Sequence, residues 1–363
     1  MKIGIITFQD TTNYGALLQA VGLQMAIREI GFECETIDYE CDNIAKREMP
    51  PSIFSEGVAR IPILAACKII GTIKYKRMEQ FKKSFLKLSS KKYNRKNISD
   101  TNDVYDCFIA GSDIIWELNV TGRDTTFYLD FVREKSKRNA FSASFGYNEI
   151  PNEYTEMTKS LINGFNRIST RENEGAEIIE KLCGKNVPVT LDPTLLVTAE
   201  NWRKYEKKYN VKKPYVLVYF DDAEHHVMNY AKKIALKNNL DVIFVSNALR
   251  GIPNVKMARS LFVEQFLWLI DNAEYVVTSS YHGVVFAINF NTPFYFFNRA
   301  HFGRISTIVS KTGIDHRNIS DKDCGEGEID WNNVNEKLDS LRRDSIQKLK
   351  QIISNKNEET IYE

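Results

Sequence analysis

Short apolar runs rich in β-branched and aromatic residues alternate with segments of helical periodicity along this chain. The runs before position 200 are 3–8, 34–39, 107–110, 138–142, 167–170 and 187–191, and the later ones are 215–220, 242–245, 275–278 and 294–297. Helical patterns such as 225–238 and 263–272 separate the later runs. Strands that alternate with helices form parallel sheets covered by helices on both faces. The sequence therefore predicts an α/β protein with two Rossmann-like halves and a cleft between them.

The length of the chain favours two domains. Its 363 residues, 43% of them hydrophobic, exceed what a single core usually holds. The boundary is predicted in the charged stretch 202–213, because charged segments next to a proline make poor cores. This gives an N-terminal Rossmann-like domain over 1–205 and a C-terminal one over 206–330. The remaining segment, 331–363, has apolar residues at helical spacing and predicts a helix docked on the body.

Charge and cysteine content argue against several classes of protein. The 49 basic and 47 acidic side chains nearly cancel, so we expect no nucleic-acid partner. The six cysteines form no Cys-x-x-Cys pair and the histidines lack ligand-like spacing, so we expect reduced thiols and no metal site. The apolar start over 1–8 is too short for the core of a signal peptide, which predicts a cytoplasmic location.

One stretch, 58–77, is both basic and amphipathic. Such a composition is typical of a helix on a membrane surface, so peripheral contact at the inner face of the membrane is one interpretation. Pro62 and Gly71 interrupt the apolar face, which favours the other interpretation, a helix packed on the body of the protein. No apolar run approaches the roughly 20 residues needed to cross a bilayer.

The most informative candidate site lies at 278–283, where a buried strand is predicted to meet an apolar helix. Ser279, Ser280 and Gly283 surround His282 there. A helix N-terminus attracts anions because its first amides are unpaired and its dipole is positive. An imidazole beside it can carry protons near neutral pH. The turn predicts a site for a phosphorylated substrate, and the alternative is that His282 is a structural residue.

Polar residues also follow the first strand, at the edge where open α/β sheets bind ligands. Asn13 and Tyr14 precede Gly15, which permits close approach of a ligand or of neighbouring backbone. Asn13 is equally consistent with a ligand contact and with a helix cap. The segment matches neither the Gly-x-Gly-x-x-Gly fingerprint nor the P-loop ending.

Two later strand ends carry further candidates. Ser112 and Asp113 follow 107–110, and Asp113 is a candidate acid or base, with a helix cap as the alternative. Ser142 and Ser144 occupy alternate positions and are expected on one face of the next strand, where they either reach the cleft or satisfy backbone groups.

Arg171 stands at the end of the run 167–170. Its planar guanidinium suits a carboxylate or a phosphate. The alternative is that Arg171 pairs with Glu172 or Glu174, and the sequence leaves both open.

Six short segments, in an order and spacing that cover roughly residues 1 to 317, resemble the polysaccharide pyruvyl transferase family. They are Asn13-Tyr-Gly-Ala-Leu-Leu-Gln-Ala20, Ala110-Gly-Ser-Asp113, Ser142-Ala-Ser-Phe-Gly146, Ser169-Thr-Arg-Glu172, Leu191-Asp-Pro-Thr-Leu-Leu196 and Ser279-Ser-Tyr-His-Gly283. Each piece alone is weak, but six in register are specific. The resemblance implies two Rossmann-like domains arranged as in GT-B glycosyltransferases, with the donor in the C-terminal domain.

The resemblance also implies a reaction. Pyruvate would pass from phosphoenolpyruvate, a co-substrate, to hydroxyls of a cell-surface polysaccharide or its lipid-linked precursor, usually as a cyclic ketal. No metal or other cofactor is required by that chemistry.

The resemblance places Arg171 and His282 at positions associated with donor binding and catalysis. Asp113 is then expected to activate the acceptor. The other donor candidates are Ser279, Ser280, Gly283 and Arg304, and the acceptor or cleft candidates are Asn13, Tyr14, Ser112 and Ser144.

This chain departs from the family pattern at one position of the 278–283 turn. Several family members read Arg-Leu-His where it reads Ser280-Tyr281-His282, so a cation for the donor is missing there. Either Arg299 or Arg304 supplies the charge from the following loop, or the donor is altered.

Two other functions fit the same features. One is a GT-B-type glycosyltransferase that uses a nucleotide sugar, and the other is a catalytically lapsed glycan-binding or assembly protein. Stabilisation by phosphoenolpyruvate would separate the first choice from the glycosyltransferase, and acceptor-dependent phosphate release would separate catalysis from binding.

Overall fold

The structure, a computed structural model, describes residues 1–48, 61–220, 225–298, 303–320 and 327–354. Its N-terminal sheet consists of β1 (Lys2–Ile6), β2 (Glu33–Tyr39), β3 (Leu88–Tyr93), β4 (Cys107–Ala110), β5 (Arg138–Ala143) and β6 (Arg167–Thr170). Its C-terminal sheet consists of β7 (Tyr215–Tyr219), β8 (Asp241–Val245), β9 (Lys256–Ala258), β10 (Tyr275–Thr278) and β11 (Phe294–Phe296). All the strand pairs in both sheets are parallel.

Helices connect the strands and cover the sheets. They are α1 (Tyr14–Glu29), α2 (Asp42–Glu48), α3 (Ile61–Phe85), α4 (Leu118–Thr121), α5 (Thr155–Asn163), α6 (Asn173–Cys183), α7 (Pro193–Leu196), α8 (Ala199–Arg203), α9 (His225–Asn238), α10 (Val263–Asp271), α11 (Tyr281–Phe290), α12 (Gly303–Thr312) and α13 (Trp331–Ser354). Every residue of β4 and of β7 is buried, as expected for central strands that have helices on both faces.

The strand order determines where a ligand can bind. The N-terminal sheet has the order β3-β2-β1-β4-β5-β6, and the C-terminal sheet has the order β11-β10-β7-β8-β9. Successive strands are therefore added first towards one edge and then towards the other. This change of side lies between β1 and β4 in one sheet and between β7 and β10 in the other. Open α/β sheets bind ligands beyond the carboxyl ends of the strands at such switch points. The loops after β1, β4 and β10 carry Asn13, Asp113 and the 278–283 turn. The other predicted residues Ser144, Arg171 and Arg304 follow β5, β6 and β11.

One hydrophobic cluster extends through both halves of the molecule. Leu17 of α1, Leu195 of α7, Phe286 of α11 and Leu349 of α13 are all buried in it, together with Leu217 of β7. Helices between the two sheets thus belong to a core that the sheets share.

The C-terminal helix α13 is held by polar contacts as well as by its apolar face. Arg342 Nε donates to the Leu195 carbonyl oxygen at 2.7 Å, and the Leu191 amide donates to Ser345 Oγ at 3.0 Å. Part of the predicted segment, 355–363, lies outside the described residues.

The predicted strand at 187–191 is wrong. The segment makes an isolated bridge between Thr170 and Val189, where the Thr170 amide donates to the Pro188 carbonyl oxygen at 3.0 Å. Pro188 has no N–H to continue a ladder. Conversely, β3 and β9 were not predicted, because β3 is largely polar and β9 has three residues.

Helix α3 packs on the body of the protein, which is the favoured of the two interpretations of 58–77. Leu64, Met78 and Phe81 are its buried contacts, and residues 58–60 lie outside the described part. Pro62 stands in the first turn, where the missing N–H costs little. Among the described helices, none combines the length and apolarity that a transmembrane span requires.

Candidate active site

A cavity of about 190 Å³ lies between the two sheets, beyond the carboxyl ends of β1, β4 and β10. It is lined by Phe8, Thr11, Asn13, Ala16, Ile44, Arg47, Glu48, Asp113, Ile114, Val120, Ser279, Ser280, Tyr281, His282, Asn298, Arg304 and Ile305. Both halves of the chain contribute to this wall, and most of the lining is polar or charged.

The start of α1 forms one side of the cavity. Asn13 caps this helix, because its Oδ1 accepts hydrogen bonds from the Gly15 amide at 2.9 Å and the Ala16 amide at 3.2 Å. A Cβ on Gly15 would lie 2.0 Å from both Cγ and Nδ1 of His282. Gly15 therefore leaves the space that the imidazole occupies, and the neighbour predicted to approach it is His282.

Asp192 connects His282 to the N-terminal half. Its Oδ1 accepts hydrogen bonds from the Thr194 amide (2.9 Å) and from Thr194 Oγ1 (2.7 Å). Its Oδ2 accepts from Arg171 Nη1 at 2.9 Å and from Ser112 Oγ at 3.1 Å, and it lies 3.7 Å from His282 Nε2. At 3.7 Å the His282 contact is longer than a hydrogen bond, and Nε2 has no other partner in the described residues.

These contacts keep Asp192 ionised. Burial by itself raises the pKa of Asp192, but His282, Arg171 and the Thr194 amide outweigh burial and hold the pKa well below its usual range. The carboxylate thus faces the buried Nε2 edge of His282, an arrangement that fixes the ring and favours a proton on Nε2.

Arg171 lies beneath the cavity rather than in its wall. Its side chain is 0% exposed, and its guanidinium carbon is 4.5 Å from the centre of the Tyr281 ring. Its nearest acidic partner is Asp192, while Asp113 and Glu172 lie at 3.7 and 3.6 Å. The predicted alternative, a pair with Glu172, is thus seen, and Asp192 is a closer partner that was not predicted. Direct contact between Arg171 and a donor stays a prediction.

Glu172 is a second buried carboxyl group near this cluster. Neither of its oxygens has a hydrogen-bond partner in the described residues. Burial raises the pKa of Glu172, and the nearby Arg171 offsets the shift only in part. The group therefore holds its proton more readily than an exposed glutamate does.

Asp113 reaches the cavity from the loop after β4. Its backbone has φ of 74°, a left-handed conformation that few residues other than glycine adopt. Its Oδ1 accepts from the next amide, Ile114, at 2.9 Å, and its carbonyl oxygen accepts from the Ser144 amide at 3.2 Å. It does not cap a helix, because α4 begins only at Leu118 with Glu117 as its cap residue.

The turn at 278–283 places the start of α11 against the cavity. Thr278 Oγ1 accepts from the Ser280 amide at 3.0 Å and donates to the Tyr219 carbonyl oxygen. A Cβ on Gly283 would lie 2.5 Å from Thr278 Oγ1, so glycine allows the helix to start this close to β10. Ser280 begins α11 without a side-chain cap, and Ser279 Oγ is buried without a partner among the described residues.

Two arginines line the cavity. Arg304, at the start of α12, is the predicted substitute for the cation that the turn lacks, whereas Arg299 lies outside the described residues. Burial and the positive charge of Arg171 lower the pKa of Arg304. Arg47 of α2 was not predicted, because no strand end or recognisable segment marks it.

Comparison with known proteins identifies the family. A profile of the polysaccharide pyruvyl transferase family matches residues 13–301, most of the chain. The chain belongs to this family. A search of curated proteins found no significant match.

Similar solved structures establish the fold. A UDP-GlcNAc 2-epimerase from Methanocaldococcus jannaschii has a TM-score of 0.50 at 13% sequence identity, and 98% of this chain aligns with 100% of that one. A protein assigned as a UDP-N-acetylglucosamine 2-epimerase in Listeria monocytogenes has a TM-score of 0.51 at 11% identity, over 98% and 97% of the two chains. The predicted GT-B-like arrangement is thereby confirmed, and at this identity the likeness concerns the fold alone.

The serines at 112, 142 and 144, in the N-terminal pyruvyl transferase segments, are buried and lie outside the cavity lining, whereas Ser279 and Ser280 line it. Ser112 and Ser144 are fully buried, and Ser144 Oγ accepts from the Gly146 amide at 3.2 Å. The regular alternation expected for Ser142 and Ser144 fails, because Ser142 has φ of 52° and the pairing of β5 with β6 shifts there. Ser144 thus takes the second of its two expected roles, a hydrogen bond with a backbone amide, and does not reach the cleft cavity.

Tyr14 lies where the halves meet, beside the cavity rather than in its lining. Its ring stacks on Phe266 of α10 with centroids 4.6 Å apart, and its hydroxyl donates to the Leu261 carbonyl oxygen at 3.3 Å. Burial raises the pKa of Tyr14, so the hydroxyl stays protonated. Tyr14 therefore joins the two halves.

The segment Leu191–Leu196 of the family pattern supplies the functional residue that sequence reasoning missed. Asp192 precedes Pro193 at the start of a four-residue helix, which reads as an ordinary cap. Its contacts with Arg171, Ser112 and His282 come from three other parts of the chain. Its place in the six-segment pattern was the available signal.

The site as a whole is suited to acid–base chemistry on an anion. It combines an imidazole held by a buried carboxylate, a second carboxylate in Asp113, and cationic side chains beside an uncapped helix start. Within the described ranges, no group of three or more His, Cys, Asp or Glu side chains is placed to hold a metal ion.

Proposed function

We propose that this protein transfers pyruvate from phosphoenolpyruvate to hydroxyls of a glycan, forming a cyclic ketal, and that it does so without a metal or other cofactor. The observation that carries the proposal is the position of His282 between Gly15 and Asp192, in a cavity that also contains Asp113 and Arg304. Membership of the polysaccharide pyruvyl transferase family supports the same reaction. The acceptor is a polysaccharide or its lipid-linked precursor, and we place the reaction in the cytoplasm.

The donor carries two anionic groups, and the cavity offers matching positive charge. The phosphate lies at the uncapped start of α11, where Ser279 and Ser280 add hydroxyl donors. The carboxylate faces Arg304, with Arg47 at the cavity edge. Arg171 supports this site from below by pairing with Asp192.

The proposed reaction begins with protonation of the donor by the imidazolium of His282. The proton joins the methylene carbon, which becomes a methyl group, and the carbon that carries the phosphate becomes cationic. A sugar hydroxyl bonds to that carbon and gives its proton to Asp113. The bond between this carbon and the phosphate oxygen then breaks, and phosphate leaves with the proton held by Asp113. A second hydroxyl bonds to the same carbon to close the ring and gives its proton to the neutral imidazole of His282. Asp192 stabilises the imidazolium before the first step and after the last by facing its Nε2 edge.

The size of the cavity supports pyruvyl transfer over nucleotide-sugar transfer. Its volume of about 190 Å³ is below the ~300–1,000 Å³ of pockets that hold drug-sized ligands. Phosphoenolpyruvate is a three-carbon compound, whereas a nucleotide sugar contains a base and two sugars. The cavity therefore favours the smaller donor.

Donor binding is the first test. Titration calorimetry and thermal shift should show binding and stabilisation by phosphoenolpyruvate and none by UDP-GlcNAc. Stabilisation by the nucleotide sugar alone would replace the proposal with a glycosyltransferase.

Catalysis is tested by phosphate release and acceptor mass across a panel of glycans. His282→Ala should lower turnover by about 10²–10⁴-fold and leave donor affinity nearly unchanged, because it removes a proton donor and not a charge clamp. The matched control is His316→Ala, an exposed histidine outside the cavity lining. Donor binding without acceptor-dependent phosphate release from any glycan would favour a binding protein.

A further inference from the structure

Helix α3 has an unusual outer surface. Of the seven large apolar side chains exposed in the described residues, three are the isoleucines Ile63 (57% exposed), Ile69 (62%) and Ile73 (41%) of this helix. At 3.6 residues per turn they fall within an arc of about 120°. Isolated exposed isoleucines are common, but three on one face form a patch. We call this patch the isoleucine face.

The isoleucine face is not a misplaced part of the core. Other side chains of the same helix, Leu64, Met78 and Phe81, are already buried. The helix is also tied to the C-terminal half, because Ser260 Oγ donates to the Ile70 carbonyl oxygen at 2.8 Å and Arg77 donates to the Ser260 carbonyl oxygen. The helix is therefore fixed in place with its isoleucines turned outward.

The charge around the face is mainly positive. Helix α3 carries six basic side chains against one acidic side chain, and they are Lys68, Lys74, Lys76, Arg77, Lys82 and Lys83 against Glu79. Lys68, Lys76 and Lys83 are exposed, whereas Lys82 is buried and paired with Asp10 and Glu79. An apolar strip beside exposed lysines complements a surface that is anionic outside and apolar beneath.

A groove connects α3 to the candidate active site. It measures about 320 Å³ and is lined by Lys74 of α3 together with Tyr14 and Tyr219. It shares Asn13, Arg47 and Glu48 with the active-site cavity. A chain-like acceptor can therefore extend from the reacting position towards α3.

We propose that the isoleucine face of α3 rests on an anionic phospholipid surface and so brings the groove to the bilayer. The isoleucines enter the acyl boundary while the lysines contact lipid phosphates. Resting on the proposed function, this arrangement selects a lipid-linked glycan as acceptor, with its sugar in the cavity and its lipid in the membrane.

Vesicle flotation tests the surface with the full-length chain. Vesicles of phosphatidylcholine mixed with phosphatidylglycerol should bind the protein, and vesicles of phosphatidylcholine alone should bind it less. The triple variant Ile63→Ser, Ile69→Ser, Ile73→Ser should reduce the bound fraction at least about tenfold, because each lost isoleucine removes burial in the acyl boundary. The control variant Leu236→Ser, Leu249→Ser removes two exposed leucines elsewhere and should bind like the wild type.

The charge component is tested separately. Lys68→Glu with Lys76→Glu should weaken binding to the mixed vesicles and remove its dependence on salt between about 0.1 and 1 M. Circular dichroism and thermal shift with phosphoenolpyruvate should be unchanged in every variant, since the face lies outside the cavity. If the wild type did not bind phosphoenolpyruvate, the proposed function would be wrong, whereas the vesicle result would still stand.

Two outcomes would overturn the proposal that α3 rests on a membrane surface. One is equal flotation of the wild type and the triple variant. The other is that the wild type does not bind vesicles and that light scattering shows a dimer for the wild type and a monomer for the triple variant. That result would assign the face to contact with a second copy of the chain.

Discussion

The starts of α1 and α11 both line the cavity and touch through Gly15 and His282, but only one of them is capped by a side chain. The first turn of α1 is capped by its own chain, because Asn13 accepts from the Gly15 and Ala16 amides. The first turn of α11 begins at Ser280 with no side-chain cap. Two helix starts at equivalent points of two similar sheets are therefore not equivalent sites. One is satisfied internally and supports the wall, while the other is open to an anion.

The same comparison explains why each helix has a glycine near its start. Gly15 makes room for the His282 ring, and Gly283 makes room for Thr278 Oγ1. The capped helix thus leaves space for His282, the proposed catalytic side chain of the uncapped one. Five substitutions test this division between support and binding.

Asp192→Asn should have the largest effect, because Asp192 lies between the two helix starts. Removing one partner of its buried pair with Arg171 should cost about 3–5 kcal/mol of stability. Turnover should fall about 10²–10⁴-fold, because the His282 ring loses its orientation and the imidazolium its counter-charge. Chemical denaturation and steady-state kinetics measure the two effects.

The stability effect has a definite sign with pH. The pKa of Asp192 is lowered in the folded protein, so its contribution is fully present above the unfolded value of about 4 and is lost as pH falls through the folded pKa. The wild type should lose stability below about pH 4, and Asp192→Asn should lose less. Equal acid sensitivity of the two would show that Asp192 is not the ionised partner described here.

Gly15→Ala should come next. The added Cβ would lie 2.0 Å from the imidazole, so the ring or the start of α1 must move. A displacement of this size should lower turnover by on the order of a hundredfold with a small change in donor affinity. Gly251→Ala is the matched control, because a Cβ there meets no atom within 4 Å. If both alanine variants were fully active, the contact of His282 with α1 would be irrelevant to catalysis.

Arg304→Gln should weaken phosphoenolpyruvate binding about tenfold, since it removes one charge-assisted contact and keeps a polar side chain of similar reach. Calorimetry at low and high salt measures the change. Arg343→Gln, on the exposed side of α13, provides the control for the loss of one positive charge. Unaltered affinity in Arg304→Gln would leave Arg47 or the helix start as the carboxylate contact.

The smallest expected effect is on stability and compares the two helix starts directly. Asn13→Ala should lower the free energy of unfolding by ~1 kcal/mol, because a helix cap is lost. Ser280→Ala should cost nothing measurable, because its side chain makes no cap bond. Thermal melts compare the pair, and a greater loss in Ser280→Ala would reverse the roles assigned to α1 and α11.

Much of the fold follows from the pattern of buried strands. Apolar runs such as 107–110, 167–170 and 275–278 match observed strands, because central strands cannot be polar. Edge positions were harder, since β3 is polar and the ladder at 187–191 is interrupted by Pro188. Periodicity reports burial, and an edge strand is only partly buried.

The parts of the candidate site that depend on local chain geometry were predicted from the sequence. The turn around His282 and the loop of Asp113 do line one cavity. Sequence alone could not show that Ser112 points at Asp192 or that the Arg171 side chain is buried, because both depend on contacts between distant segments. Arg47 was missed for the same reason.

The hydrophobic cluster shared by both sheets restricts how the enzyme can admit its substrates. A hinge that drew the two sheets apart would expose Leu17, Leu195 and Phe286 to water at a cost of ~25 cal/mol for each Å² of apolar surface. Domain closure of the kind expected for loosely joined halves is therefore costly. In the proposed reaction, exchange of donor and phosphate would instead depend on the cavity rim, where α2 and the start of α12 carry Arg47 and Arg304. The arginines proposed to bind the donor would then also control its entry and the release of phosphate.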